Sequence, residues 1–185
     1  MSARRLEPSR APDRVPSQAT LAAGSKVIYP GQGPCRIGRV VKKVVGDRMI
    51  MFYHLIVLDE SGGEVFIPIE KAQAIGVRLL MKKSEIPGLL THLKKGAKAA
   101  DSWKQRATDN MKLFTSGSPF DLAEIVSSLT ELSSTRSLTL GETGTLGRAR
   151  RLLISEISEV MGETKTAISE QVDHALKLRT QRGKT

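Results

Sequence analysis

An α+β chain of more than one domain, a small β-barrel of the SH3 or Tudor kind followed by an all-helical bundle, is the fold class this sequence predicts. Three observations predict it. Short β-rich runs alternate with Gly- and Pro-rich turns up to Pro68, and beyond Val77 apolar residues recur at helical spacing. The length of 185 residues also suits two small units, because domains commonly run about 100–150 residues.

Residues 1–23 are rich in Arg, Pro, Ser and Ala, have little to bury, and are expected to form a disordered basic arm. Strand character starts at Gly24. Lys26, Val27, Ile28 and Tyr29 make a β-rich run that stops at Pro30-Gly31-Gln32-Gly33-Pro34, a dense turn signal. A second strand is expected over 36–45, closed by Gly46-Asp47, and a third over 49–58 with Phe52, Tyr53, Leu55, Ile56 and Val57. Gly62-Gly63 then turns the chain into a fourth, Glu64-Val65-Phe66-Ile67-Pro68. Strands this short and this close predict a small barrel, set here at 24–81. Such a barrel is chiefly an adhesive surface, since an exposed strand edge can accept a partner's strand through main-chain hydrogen bonds.

The helical unit is set at 82–177. Ile86, Leu89, Leu90 and Leu93 share one face of a first helix over 84–93, with Pro87 in its first turn. A basic connection over 94–100 leads to Asp101, the expected cap of a helix carrying Trp103, Ala107, Met111 and Phe114 and ended by Ser116-Gly117. Ser118 caps the next helix, Pro119 takes its first position, and Leu122, Ile125, Val126, Leu129 and Leu132 form its stripe. Thr139 and Glu142 have the spacing of a capping box, ahead of Leu146, Ala149, Leu153, Ile157 and Val160. Gly162 stops that helix, Thr164 caps the last, and Ile168, Val172, Ala175 and Leu176 line it. The remaining 178–185 is expected to be a basic tail, with Arg179, Arg182 and Lys184 following Lys177.

The formal net charge is +10. An excess of Lys and Arg draws a protein toward polyanions by releasing their condensed counterions, whatever the nucleic-acid sequence. One cysteine, Cys35, excludes an internal disulfide and fits a reducing compartment, where it is expected to be a small buried hydrophobe. No apolar run approaches the roughly 18 residues of a membrane span, and Arg4, Arg5, Arg10, Asp13 and Arg14 interrupt any signal-peptide core. The expectation is a soluble cytoplasmic protein.

Catalysis is not expected. His54, His92 and His174 stand far apart and share no metal-ligand spacing with Cys35. Pro30-Gly31-Gln32-Gly33 lacks the Lys-Ser/Thr ending and following helix of a phosphate loop, and Asp59-Glu60 reads as a solvated pair in a loop. No cofactor or metal is implied.

The helical half carries the binding signal. Lys94, Lys95, Lys98, Lys104 and Arg106, then Arg148, Arg150 and Arg151, are basic side chains of the kind that grip phosphates and position a protein without reading bases. A solvated charged face is the ordinary alternative. Trp103, the one tryptophan, is either a buried anchor at a helix start or an apolar wedge against a base step in the minor groove.

Four stretches in order match a known family. They are Gly24-Ser25-Lys26-Val27-Ile28-Tyr29-Pro30-Gly31-Gln32-Gly33; Phe66 to Ala72 with Ile75-Gly76-Val77-Arg78; Trp103 to Gly117 with Ala123-Glu124-Ile125-Val126; and Leu138 to Glu142 leading to Ala149-Arg150-Arg151-Leu152-Leu153. On these the chain resembles the CarD/CdnL family of bacterial RNA polymerase-binding transcription regulators. The resemblance implies a Tudor-like unit docked on the polymerase β subunit and a helical unit that meets promoter DNA at the upstream edge of the bubble, stabilising the open complex. It implies that Trp103 is the minor-groove wedge, with Lys104, Arg106, Arg148, Arg150 and Arg151 at the DNA, and that Lys42, Lys43 and Phe66 face the polymerase. Phe66 stands where an arginine can occur in the family, Ala107 where an aromatic is common, and Thr143, Gly144 and Thr145 where basic residues are frequent. A monomer is expected in solution. The rival readings are a ribosome-associated nucleic-acid module with no polymerase contact, and a relative of transcription-repair coupling factors, for whose motor this chain is too short.

Overall fold

The computed structural model describes residues 21–59, 62–95, 99–100 and 102–182, with side chains described as far as 178. Residues 1–20 of the arm expected over 1–23, Glu60 of the expected loop pair, the cap at Asp101, the cation Lys98 and the end of the tail lie outside the described residues.

Four strands form where alternating apolar residues required them: β1 (Lys26–Tyr29), β2 (Gly33–Val45), β3 (Arg48–Val57) and β4 (Glu64–Pro68). Two elements were not anticipated. The helix α1 (Ile69–Ile75) is too short to reveal a 3.6-residue period, and β5 (Arg78–Leu79) is only two residues long. All pairings are antiparallel, and the sheet order is β4-β3-β2-β1-β5. The register between β2 and β3 shifts at Gly38, where a bulge bends the long strand. A Cβ at Gly38 would lie 3.2 Å from Cδ1 of Ile56 and 3.3 Å from Nδ1 of His54, so the bend uses the space a side chain would fill. Val27, Cys35, Ile37, Tyr53, Leu55, Val57 and Ile67 are buried on the inner face. Burial pushes the Cys35 thiol up to about 11, as suits a packed hydrophobe rather than a nucleophile.

The helical part begins with a 3-10 turn over Lys83–Glu85 and continues as α2 (Ile86–Lys95), α3 (Trp103–Ser116), α4 (Pro119–Thr135), α5 (Leu140–Met161) and α6 (Lys165–Arg182). The caps read from the sequence form. Ser118 Oγ accepts from the Phe120 and Asp121 amides, Thr139 and Glu142 complete a reciprocal box, and Thr164 Oγ1 accepts from the Ala167 amide. Leu89, Leu93, Ile125, Val126, Leu129, Leu153, Ile157, Ile168 and Val172 build the core, and Met81 already belongs to it. No helix among the described residues is long and apolar enough to cross a membrane.

Candidate functional site

On the sheet, Lys43 and Phe66 come together. Side chains alternate along a strand, and the pairings Lys43 with Ile50, Arg39 with His54 and His54 with Phe66 put Lys43, Phe52, His54 and Phe66 on the outer face. Lys43 Nζ stands 3.6 Å from the Phe66 ring centroid and 5.9 Å from that of Phe52. The His54 ring stacks on Phe66 with centroids 4.8 Å apart and planes within 11°. His54 Nε2 lies 3.1 Å from a carboxylate oxygen of Glu64. The sequence left His54 as an ordinary core or surface residue; it is the buried support of this aromatic platform. Lys42 is different. One step along the strand it faces the other side, opposite Met51 and near the exposed tip residues Val44 and Met49. β4, which carries Phe66, is an edge of the sheet, paired only with β3 among the described residues.

On the helices, α3 inverts the usual amphipathic arrangement. Its buried residue is Arg106, 7% exposed, while Trp103 is 64% and Met111 69% exposed. Trp103, Ala107 and Met111 of the expected apolar stripe therefore face outward, while Phe114 is half-buried against the helical core. Trp103, Ala107, Met111 and Phe114 form one wall of a groove of about 430 Å³, and Thr139, Gly141, Thr145 and Arg148 of the α5 start form the other. Lys104 Nζ stands 5.7 Å from the Trp103 ring centroid, and the Arg148 guanidinium lies 5.0 Å from that of Phe114.

Arg106 corrects an expectation: it does not flank the tryptophan on the surface. Its Nε donates to Glu142 Oε1 at 2.8 Å and its Nη1 to the Ala100 carbonyl at 2.7 Å. Arg136 Nη2 donates to both oxygens of Glu142, at 2.9 and 3.0 Å, and the Thr139 amide donates at 3.0 Å. Burial alone would raise the Glu142 pKa; the Thr139 amide and the two guanidiniums outweigh it and hold the carboxyl at about 2. One carboxylate thus caps α5 and anchors α3. The sequence revealed the capping box but not the two arginines that converge on it, because a cation's partner across helices leaves no periodic trace.

The α5 arginines divide. Arg148 is exposed in the tryptophan groove. Arg150 instead crosses to α6, donating to Ser169 Oγ at 2.8 Å and pairing with Asp173 at 2.7 Å, which lowers the Asp173 pKa. Arg151 is exposed in a separate open groove of about 420 Å³ with Lys165, Thr166 and Ser169. Of the six expected DNA contacts, the structure gathers Trp103, Lys104 and Arg148, and engages Arg106 and Arg150 internally.

A sheet with an exposed edge, joined to helices that leave a tryptophan uncovered among cations, suits a two-surface binding protein. Residues 21–80 match the model of the CarD-like/TRCF RID domain, which makes the class an RNA polymerase-interacting transcription regulator. Residues 89–173 match the model of the CarD C-terminal domain. With the two models together spanning most of its length in the right order, the chain belongs to the CarD/CdnL family. A solution NMR structure of the 72-residue N-terminal domain of Myxococcus xanthus CarD is 38% identical over 32% of this chain and 79% of that one, with a TM-score of 0.28.

Proposed function

We propose that this regulator holds the polymerase β subunit with the outer face and edge of its sheet, and meets promoter DNA at the upstream edge of the bubble with Trp103. Stabilisation of the open complex is the result. The single observation that carries the reading is the exposed Trp103, set in an apolar groove with Lys104 and Arg148 beside it. A large aromatic ring mostly exposed at a helix start adds little to the core, and it suits insertion at a distorted base step while the cations take the flanking phosphates. Opening shifts by the difference in binding energy between open and closed promoter, and about 1.4 kcal/mol of preference changes the ratio tenfold. On the sheet side, Lys43 held over Phe66 offers a charge and an apolar plate in one contact, and β4, paired only with β3 among the described residues, offers a strand edge. Residues 24–81 form the docking unit, 82–177 the DNA unit, and the protein acts as a monomer.

The test is Trp103→Ala with the polymerase. Open-complex lifetime on a supercoiled promoter should drop, while co-purification with the β subunit and the melting temperature hold. Loss of folding would make the tryptophan a core residue. Arg148→Glu should in addition flatten the salt dependence of DNA binding by about one unit of slope; an unchanged slope rules out its phosphate contact. Absence of β-subunit co-purification would favour the polymerase-independent nucleic-acid module.

A further inference from the structure

The turn Pro30-Gly31-Gln32-Gly33, which the strand pattern explains only as a turn, is where the sheet enters the helical part. A Cβ on Gly33, which sits at φ 95, would meet Leu152 Cδ2 of α5 at 3.2 Å. A Cβ on Gly117, at the α3 end, would meet Pro30 Cγ at 3.3 Å. The space left among Pro30, Gly33, Leu122, Leu152 and Glu156 is about 10 Å³, room for one water at most. Across this seam Arg78, on β5, donates from Nη1 and Nη2 to the two oxygens of Glu156 at 2.7 and 2.8 Å. Its Nε donates to the Gly117 carbonyl at 2.6 Å, and the Met81 amide donates to Glu156 Oε1 at 2.9 Å. Glu156 is 1% exposed. Lys26 of β1 pairs with Glu159 alongside.

A buried ion pair is a poor source of stability, because desolvation offsets the attraction, but a bidentate Arg–carboxylate fork tolerates only one geometry. We propose that Arg78 and Glu156 are positioning residues: their pair locks sheet and helices into one body, so that docking through the Lys43–Phe66 face delivers Trp103 at a fixed separation and angle. The proposal rests on the two-surface reading above. Its physical basis is effective concentration. A second contact made by a tethered group is strong only when the tether presents it in the right place, and a rigid tether spares the ordering cost of a loose one.

Spin labels on Asp47→Cys, at the hairpin tip, and Ser134→Cys, near the α4 end, report the distance between the parts; Cys35 is fully buried and stays unlabelled. The full-length parent should give one narrow distance distribution. Arg78→Lys keeps the charge and loses the fork. It should broaden the distribution and shorten open-complex lifetime about tenfold, toward Trp103→Ala, while β-subunit co-purification and DNA affinity alone stay within about twofold. Glu156→Gln keeps the shape and one oxygen acceptor and should fall between; it serves if Arg78→Lys does not fold. A distribution that stays narrow in both variants overturns the proposal, as does a broadened one with full lifetime. A Trp103→Ala variant with unchanged lifetime instead overturns the underlying function, and with it the delivery role.

Discussion

The sheet and helix α3 solve opposite problems with the same residue types. The sheet buries Tyr53, Leu55 and Ile67 on one face and displays Lys43 and Phe66 on the other, so packing holds it and its contact residues ride on a rigid support. Helix α3 turns Arg106 inward and Trp103 and Met111 outward. Leu113 and Phe114 pack only partly, and the firm attachment is the Arg106–Glu142–Arg136 cluster. A helix held by a charged cluster can spare its apolar face for a partner. That is the lesson of the difference: an inverted helix is a surface under tension between solvent and use.

The largest contrast should come from the two aromatics. Tyr53, 3% exposed in the sheet, should lose about 3–5 kcal/mol of stability on replacement by Ala, the usual cost of emptying a core aromatic site. Trp103→Ala should change stability by no more than about 0.5 kcal/mol, as surface substitutions do. Urea denaturation of both variants decides it. Comparable losses would erase the distinction between core and contact aromatic.

Next comes the charged cluster. Glu142→Gln strips the charge from the carboxylate that answers two guanidiniums, one of them buried, and should cost about 3 kcal/mol. Glu64→Gln on the sheet, where the carboxylate is 59% exposed beside His54, should cost less than about 0.5 kcal/mol. Acid should reproduce the first effect. The Glu142 carboxyl is held at about 2, below its ordinary 4.5, so its contribution is complete above pH 4.5 and disappears as pH falls toward 2. The sole tryptophan sits at the start of the helix this cluster anchors, so Trp103 fluorescence should report an acid transition in that window. Glu142→Gln should abolish the transition, and its persistence would assign the acid response to other carboxylates.

How far each region was legible follows from the same physics. Strand alternation and turn residues located β1 to β4, and 3.6-residue spacing with Ser118, Thr139 and Gly162 located the helices, because those signals are local. The helical spacing of Trp103, Ala107, Met111 and Phe114 was equally visible, yet it could not say that Trp103, Ala107 and Met111 face outward, since a period carries no sign. Arg106 and Arg150 read as contact cations because the acids that engage them, Glu142 and Asp173, are 36 and 23 residues further on. Lys42 and Lys43 were separable only once the Gly38 bulge fixed the register that sends them to opposite faces. Arg78 and Glu156 carried no local signal at all.

Glycine gives the smallest test, with opposite signs in the two regions. At Gly38 a methyl would meet Ile56 and the stacked His54 ring within 3.3 Å, so Gly38→Ala should cost about 1 kcal/mol through overpacking and should loosen the platform under Phe66. Gly144, in the first half of α5, has nothing within 4 Å of the added methyl. There Gly144→Ala should add about 0.5–1 kcal/mol, because alanine loses less backbone entropy in a helix. Thermal melts of the two variants should therefore move in opposite directions around the parent. The Gly144 variant carries a second reading, since this turn of α5 adjoins Gly141 and Thr145 of the tryptophan groove. If promoter opening is unchanged while the melt rises, the glycine is a plain weak point in an exposed helix. If DNA affinity falls as stability rises, the bare backbone of this turn approaches the phosphates directly, and it takes the place of the basic side chains that the family resemblance implies at Thr143, Gly144 and Thr145.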